Sequence, residues 1–138
     1  MNPGTAFIDG DWCLDIHPLV GNRETKTMVI DNIIHMVNNY RKCSACQMVV
    51  LVWLMDDLRV YQSIIDGISN LQMEIKSVTL ICDKENLHTR WKNDKVNEWR
   101  IDKWFEISLN LLLYFETLDN CIDTSNLSIG KIARTIML

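Results

Sequence analysis

Two carboxylates separated by a single glycine stand near the start of the sequence, at Asp9 and Asp11. A short apolar run over 6–8 precedes them, and Trp12 follows directly. In an open parallel α/β sheet, ligands bind in the crevice outside the carboxyl ends of the strands. A strand that ends in this pair would deliver two hydrogen-bond acceptors to that crevice, with Gly10 allowing a sharp backbone turn. The same residues also fit a polar turn with exposed carboxylates.

A second stretch, over 87–100, combines basic and aromatic side chains. Its members of interest are Arg90, Trp91, Lys92, Lys95, Trp99 and Arg100. Basic side chains can clamp a phosphate, and neighbouring aromatic rings can stack on a base. The same composition is typical of a helical hairpin with exposed, salt-bridged stems. The local sequence leaves both interpretations open.

The cysteines do not form a recognisable framework. They stand at Cys13, Cys43, Cys46, Cys82 and Cys121. An odd, scattered set is typical of a reducing compartment and not of a disulfide scaffold. The C-x-x-C spacing at Cys43 and Cys46 lacks the second ligand pair that a zinc site needs. The sequence therefore predicts no metal site built from protein ligands.

Length and charge limit the class of protein. A chain of 138 residues suits one domain with a sizeable core. Its formal net charge of −4 argues against a general affinity for nucleic acid or for an anionic membrane. No apolar run approaches the roughly 20 residues that cross a bilayer, and the first residues lack the features of a signal peptide. We therefore expect a cytoplasmic protein with no membrane or nucleic-acid partner.

Hydrophobic periodicity predicts the elements that would position these residues. Apolar, β-branched runs predict strands that include 6–8, 47–55, 74–82 and 120–125. Helical spacing predicts helices over 24–42 and 58–71, from 83 onward, and over 101–118 and 128–137. The resulting order is β-α-β-α-β-α-α-β-α. Alternation of strands and helices predicts an α/β fold whose largely parallel sheet is covered on both sides.

Several of these segments resemble small P-loop kinases, such as gluconate kinase and adenylylsulfate kinase. Residues 7–11 resemble the h-h-D-G-D segment after the second strand of that superfamily. Residues 48–55 resemble its third strand, and 80–90, of the form L-x-C-x-x-x-x-L-x-x-R, resemble the approach to its lid. Residues 122–128 resemble its final strand and the loop beside the adenine. From Ala6 onward the chain resembles bacterial nucleotide-kinase-like proteins, often labelled AAA-family ATPases, that carry L-D-G-D-W.

The resemblance implies a three-layer α/β/α fold in a single domain, 1–138, with a lid-like segment at about 88–103. It implies ATP and Mg²⁺ as cofactors and a small-molecule acceptor. By resemblance, one of the two early carboxylates accepts a proton from the acceptor or helps to organise Mg²⁺, and the arginines neutralise charge on the phosphoryl group. The implied catalytic residues are Asp9, Asp11, Arg90 and Arg100. The implied acceptor pocket contains Trp12, His17 and Trp53, and the implied adenine side contains Asp123, Thr124 and Ser125.

One element of the kinase pattern has no counterpart here. P-loop kinases carry a strand, a G-x-x-x-x-G-K-[ST] loop and a helix before the Asp-Gly-Asp strand, whereas five residues precede Ala6. Residues 125–132 have Ser in place of the first glycine and Ile in place of the hydroxyl. We therefore expect a P-loop kinase-like fold whose first strand and phosphate loop are missing. The resulting gap between the strands at 47–55 and 74–82 would favour closure of the sheet or association with a second copy.

These observations support three functional hypotheses. The first is an ATP-dependent kinase of small molecules or nucleotides that is inactive alone, because the phosphate loop provides most of the positioning for phosphoryl transfer. The second is a non-catalytic remnant, without a cofactor, that acts as a ligand-binding or oligomerisation module. The third, a nucleic-acid-binding module, rests on 90–103 alone and is disfavoured by the acidic overall charge.

Overall fold

The computed structural model describes residues 3–55, 57–94 and 102–137, and the side chains of the last range from 104 onward. The strands in these ranges are β1 (Thr5–Asp9), β2 (Met48–Val52), β3 (Thr79–Ile81) and β4 (Cys121–Asp123). The helices are α1 (Arg23–Lys42), α2 (Leu58–Ser69), α3 (Lys84–Asn93), α4 (Asp102–Phe115) and α5 (Ile129–Ile136). The predicted order of strands and helices is confirmed. In these ranges we find no helix with the length and apolar character needed to cross a membrane.

The strands are shorter than the apolar runs that predicted them. We expected a strand over 74–82, but only Thr79–Ile81 pairs, because its partner β4 offers three residues for the ladder. The second strand likewise occupies Met48–Val52 and not the whole of 47–55. A 3₁₀ helix over Asp11–Leu14 follows β1. The apolar runs therefore predicted longer strands than the structure contains.

The chain divides into two compact units, Met1–Glu74 and Ile75–Leu138. The first unit is a βαβ arrangement in which α1 connects β1 to the parallel strand β2. A reciprocal cap begins α1: the Asn22 side chain accepts from the Thr25 N–H at 2.9 Å, and the Thr25 hydroxyl accepts from the Asn22 N–H at 3.0 Å. Such a cap satisfies two backbone donors that a helix start leaves without partners.

One face of the β1–β2 sheet forms the core of the first unit. The buried residues of this core are Ile8, Val29, Ile33, Val37, Ile64 and Ile68. Alternate residues of the strands point the other way, so Phe7 and Val52 are about half exposed. Leu54, two residues beyond the end of β2, is 64% exposed. We call these three residues the outward face of the sheet. The sheet is thus covered by α1 and α2 on one side and presents apolar side chains on the other.

The second unit pairs β3 with the parallel strand β4, in the register Leu80 to Ile122. Asp83 caps α3 by accepting from the Asn86 N–H at 2.7 Å, as its position after a strand predicted. Ser128 caps α5 in the same way, through the Lys131 N–H at 3.4 Å. The polar residues that follow β3 and β4 therefore lie at the carboxyl ends of two paired strands.

Candidate functional site

The Asp-Gly-Asp segment lies at the carboxyl end of β1, as predicted. Asp9 is the last residue of the strand, and its Oδ1 accepts a hydrogen bond from the Asp11 N–H at 3.0 Å. The Gly10 N–H donates to the Val52 carbonyl at 2.9 Å and so extends the pairing with β2 by one residue. These bonds fix the orientation of the Asp9 carboxylate at the end of the sheet. They involve Oδ1 and the backbone and do not use Oδ2.

Trp53 connects this segment to the second strand. Its indole Nε1–H donates to Asp11 Oδ1 at 3.0 Å. The backbone conformation of Gly10 does not require a glycine, because its φ of −64° and ψ of −31° suit any residue. A Cβ at Gly10 would instead lie 2.2 Å from Trp53 Cγ. The glycine is needed for space beneath the indole, which corrects the expectation that it serves a sharp turn.

A cavity of about 700 Å³ opens beside Asp9. Its lining residues are Phe7, Ile8, Asp9, Trp12, Cys13, Asn32 and Met36. The Asn32 Nδ2 donates to the Cys13 carbonyl at 3.1 Å, which orients the amide and leaves its carbonyl oxygen outside that bond. Sequence reasoning missed Asn32 and Met36, although their spacing of four places them on one face of α1.

Cys13 lies in this cavity as a protonated thiol. Its Sγ donates to the Asp9 carbonyl at 3.5 Å and lies 3.9 Å from Met36 Sδ. Burial and the nearby Asp9 charge raise the pKa of the Cys13 thiol. A thiolate is the nucleophilic form of cysteine, so this side chain is a wall of the cavity and not an activated nucleophile.

The predicted acceptor-pocket residues separate into two groups. Trp12 lines the cavity and is 83% exposed, and Trp53 contacts Asp11 as described. His17 is not among the lining residues; its Nε2 lies 3.3 Å from Asp15 Oδ1 in an exposed pair. The structure thus brings the two indoles and two carboxylates together around one end of the sheet and gives His17 a different neighbour.

In the second unit, Arg90 and Thr124 form one hydrogen-bonded group. The Arg90 Nη1 and Nη2 atoms donate to the Thr124 hydroxyl and carbonyl oxygens, each at 2.9 Å. The Thr124 hydroxyl in turn donates to the Ile81 carbonyl at 2.8 Å, and the residue is buried. The predicted catalytic arginine therefore ties α3 to the chain that leaves β4. Arg100 lies outside the described residues, as does the part of the lid-like segment at 95–101.

Ser125 connects the Asp123 carboxylate to the backbone of Asp83 at this end of the second sheet. Its hydroxyl donates to Asp123 Oδ1 at 2.6 Å and accepts from the Asp83 N–H at 2.7 Å. Hydrogen bonds from Ser125 lower the pKa of Asp123, and those from Asn86 lower the pKa of Asp83. Both carboxyl groups are therefore ionised at neutral pH. Of the three residues predicted for the adenine side, Asp123 and Ser125 are each other's partners, whereas Thr124 is bonded to Arg90 and to the Ile81 carbonyl.

Comparison with known proteins addresses the fold. The sequence matches no known protein family and no curated protein. The structure is similar to that of the Deinococcus radiodurans tunicamycin resistance protein, with a TM-score of 0.63 and 18% sequence identity over 97% of this chain and 80% of that chain. At this level of identity the likeness concerns the fold alone. The chain has a mixed α/β fold, with short parallel sheets, that is similar to the fold of this resistance protein.

Proposed function

We propose that the chain is a P-loop kinase-like protein that provides the acceptor and lid sides of an ATP-dependent phosphoryl transfer. The observation that carries this proposal is the pair Asp9 and Asp11 at the carboxyl end of a parallel strand, in a chain similar in fold over 97% of its length to the tunicamycin resistance protein. By name, that neighbour is concerned with resistance to a small molecule. This supports a small-molecule acceptor here, and the similarity in fold supports the three-layer α/β/α fold that the resemblance to P-loop kinases implies.

In the proposed reaction the Asp9 carboxylate orients the acceptor hydroxyl and receives its proton. The Asp11 N–H holds Asp9 Oδ1, and the Trp53 indole holds Asp11 Oδ1, so Asp9 Oδ2 is the acceptor that these bonds leave for a hydroxyl. A fixed carboxylate reduces the freedom that is lost when the hydroxyl is aligned for attack. Arg90 would stabilise negative charge at the transferred group, provided that it exchanges a bond to Thr124 for one to phosphate.

The residues of this chain suit Mg²⁺ but not the triphosphate of ATP. Carboxylate oxygens are ligands that Mg²⁺ prefers, and it is commonly held by one or two of them together with phosphates and water. With Asp9 assigned to the acceptor hydroxyl, Asp11 is the carboxylate that fits this role. Mg·ATP would supply the phosphoryl group and neutralise part of its charge. The triphosphate does not fit the residues present, because the 138 residues contain no G-x-x-x-x-G-K-[ST] loop to bind it. The phosphate loop would come from another segment or another chain.

The test compares the 138 residues with a form extended by any in-frame coding sequence upstream of Met1. We expect acceptor-dependent release of ADP only from a form that carries a phosphate loop. Asp9→Asn should lower that rate about a hundredfold or more, the usual scale for loss of a general base. Asp66→Asn is the matched control, since among the described residues this exposed carboxylate accepts from Gln62 on α2 alone. A rate unchanged by Asp9→Asn, or turnover by the 138 residues alone, would contradict the proposal.

The outward face supports a second candidate function, a non-catalytic module that associates through its sheet. Phe7 and Val52 are half exposed and Leu54 more so. A sheet face that presents several apolar side chains can be an interaction site. Under this alternative, light scattering gives the mass of a dimer and Leu54→Glu returns it to a monomer. Leu19→Glu, which changes a leucine that is 71% exposed outside the sheet, should leave the dimer intact. A monomer at all concentrations would exclude this alternative.

A further inference from the structure

We infer that the cavity beside Asp9 takes a hydroxylated small molecule that carries no phosphate group and is neutral or positively charged. This inference rests on the proposed function, because it names the class of acceptor for the same site. It separates a small-molecule kinase from a kinase of nucleoside monophosphates, two possibilities that the sequence leaves open.

The charge of the cavity is the first argument. Among the described residues that line it, Asp9 is the one charged side chain, and Lys, Arg and His are absent. The Cys13 thiol is neutral, because burial and the Asp9 charge raise its pKa, so it leaves the charge of the Asp9 carboxylate unchanged. Sites for phosphate monoesters rely on Arg or Lys side chains or on backbone N–H groups at a helix start. A phosphate dianion placed here would instead meet a carboxylate.

The residues around the cavity also carry net negative charge. A second depression, of about 570 Å³, shares Asn32 with the cavity. Its charged lining residues are Glu24 and Asp31 against Arg23, so carboxylates outnumber the guanidinium. Like charges repel one another more strongly at a partly desolvated surface than in bulk water. Arg23 therefore does not reverse the charge that an anionic acceptor would experience.

The polar atoms of the cavity that remain for a ligand are hydrogen-bond acceptors, so they favour a ligand with hydrogen-bond donors. Asp9 Oδ2 and the Asn32 carbonyl oxygen are acceptors that the hydrogen bonds described above leave for a ligand. Hydroxyl and ammonium groups donate, whereas phosphate oxygens at neutral pH accept. Phe7 and Trp12 add exposed aromatic surface, which can pack against the apolar face of a sugar ring or against a planar ring. The combination fits a polyhydroxylated or amino-substituted ring.

The test uses pairs of compounds that differ by a phosphate alone: adenosine with AMP, and glucosamine with glucosamine 6-phosphate. Isothermal titration of the 138-residue protein at pH 7 gives both affinities of each pair. We expect the unphosphorylated member of at least one pair to bind, and to bind about tenfold or more tightly than its phosphate, the ratio that corresponds to one charged hydrogen bond. Asp9→Asn should narrow that ratio, because it weakens the hydroxyl contact and removes the repulsion. Asp66→Asn should leave the ratio unchanged.

Each outcome bears on the inference separately from the proposed function. If AMP or glucosamine 6-phosphate binds as tightly as its partner, or if neither unphosphorylated compound binds, the inferred acceptor class is wrong. If the extended form transfers phosphate to AMP, the proposed function holds and the inference fails. If an unphosphorylated compound binds with the expected dependence on Asp9 while no form of the chain releases ADP, the inference stands and the proposed function fails.

Discussion

Replacement of Gly10 by alanine tests the packing that holds the carboxylate pair. A Cβ at this position would lie 2.2 Å from Cγ and 2.6 Å from both Cβ and Cδ2 of Trp53, distances that force the indole to move. Overpacking of this kind costs about 1–3 kcal/mol. Loss of the exposed Trp53 bond to Asp11 adds about 0.5 kcal/mol, the low end for a hydrogen bond.

The backbone of Gly10 offsets part of that cost. Its φ and ψ suit alanine, and a compatible glycine-to-alanine change stabilises by about 0.4–1 kcal/mol through the unfolded chain. We therefore expect Gly10→Ala to lower the free energy of unfolding of the first unit by about 0.5–3 kcal/mol. Urea denaturation followed by circular dichroism measures this change. The proton signal of the Trp53 Nε1–H in an NMR spectrum reports whether the indole has left Asp11.

Two further variants control this experiment. Gly21→Ala makes the same chemical change where nothing lies within 4 Å of the new Cβ, so it should be neutral or slightly stabilising. Trp53→Ala removes the contacts of the new Cβ with Trp53 Cγ and Cδ2 and keeps the one with the Cβ at 2.6 Å. In that background Gly10→Ala should therefore lower the free energy of unfolding by less. If Gly10→Ala and Gly21→Ala unfold at the same urea concentration, and the indole signal does not move, the argument from Trp53 is wrong.

Two more predictions concern hydrogen bonds that the structure shows. Thr124→Val removes the hydroxyl that joins Arg90 to the Ile81 carbonyl and should destabilise the second unit by about 1–2 kcal/mol in urea, whereas Thr124→Ser should be close to neutral; equal effects of the two changes would refute this. Hydrogen bonds from Arg59 lower the pKa of Asp57, the residue before α2, to about 2, below the value near 3.9 of an unfolded chain. The stability that Asp57 contributes is therefore present above about pH 4 and is lost as the pH falls towards 2. Asp57→Asn keeps an acceptor for the Arg59 N–H but does not titrate, so its urea midpoint should change less between pH 4 and 2; parallel profiles would contradict the assignment.

The sequence was sufficient for the order of the elements and for the location of the carboxylate pair. Apolar residues at helical spacing marked α1, and the β-branched run before Asp56 marked β2, because burial on one or both faces imposes these patterns. Asp83 and Ser128 predicted helix starts correctly, since capping depends on a local residue type.

Contacts between distant residues were beyond the sequence patterns. Asn32 reaches the Cys13 carbonyl across 19 residues, and Arg90 reaches Thr124 across 34. Such pairs depend on how helices pack on strands, which a local period does not encode. The role of Gly10 was assigned to backbone freedom for the same reason, because the Trp53 ring that requires its small size lies 43 residues further along. The functional roles of Asp9, Asp11 and Arg90 stay predictions that the experiments above address.

The outward face has a practical consequence for work with this protein. Phe7, Val52 and Leu54 present hydrophobic surface while the chain is folded, so an environment-sensitive dye such as ANS has a place to bind before any heating. Melting curves recorded with such dyes would begin from a bright baseline. A detergent or a binding partner that covers the three side chains would lower this fluorescence. The dye therefore offers a simple screen for molecules that bind to this side of the sheet.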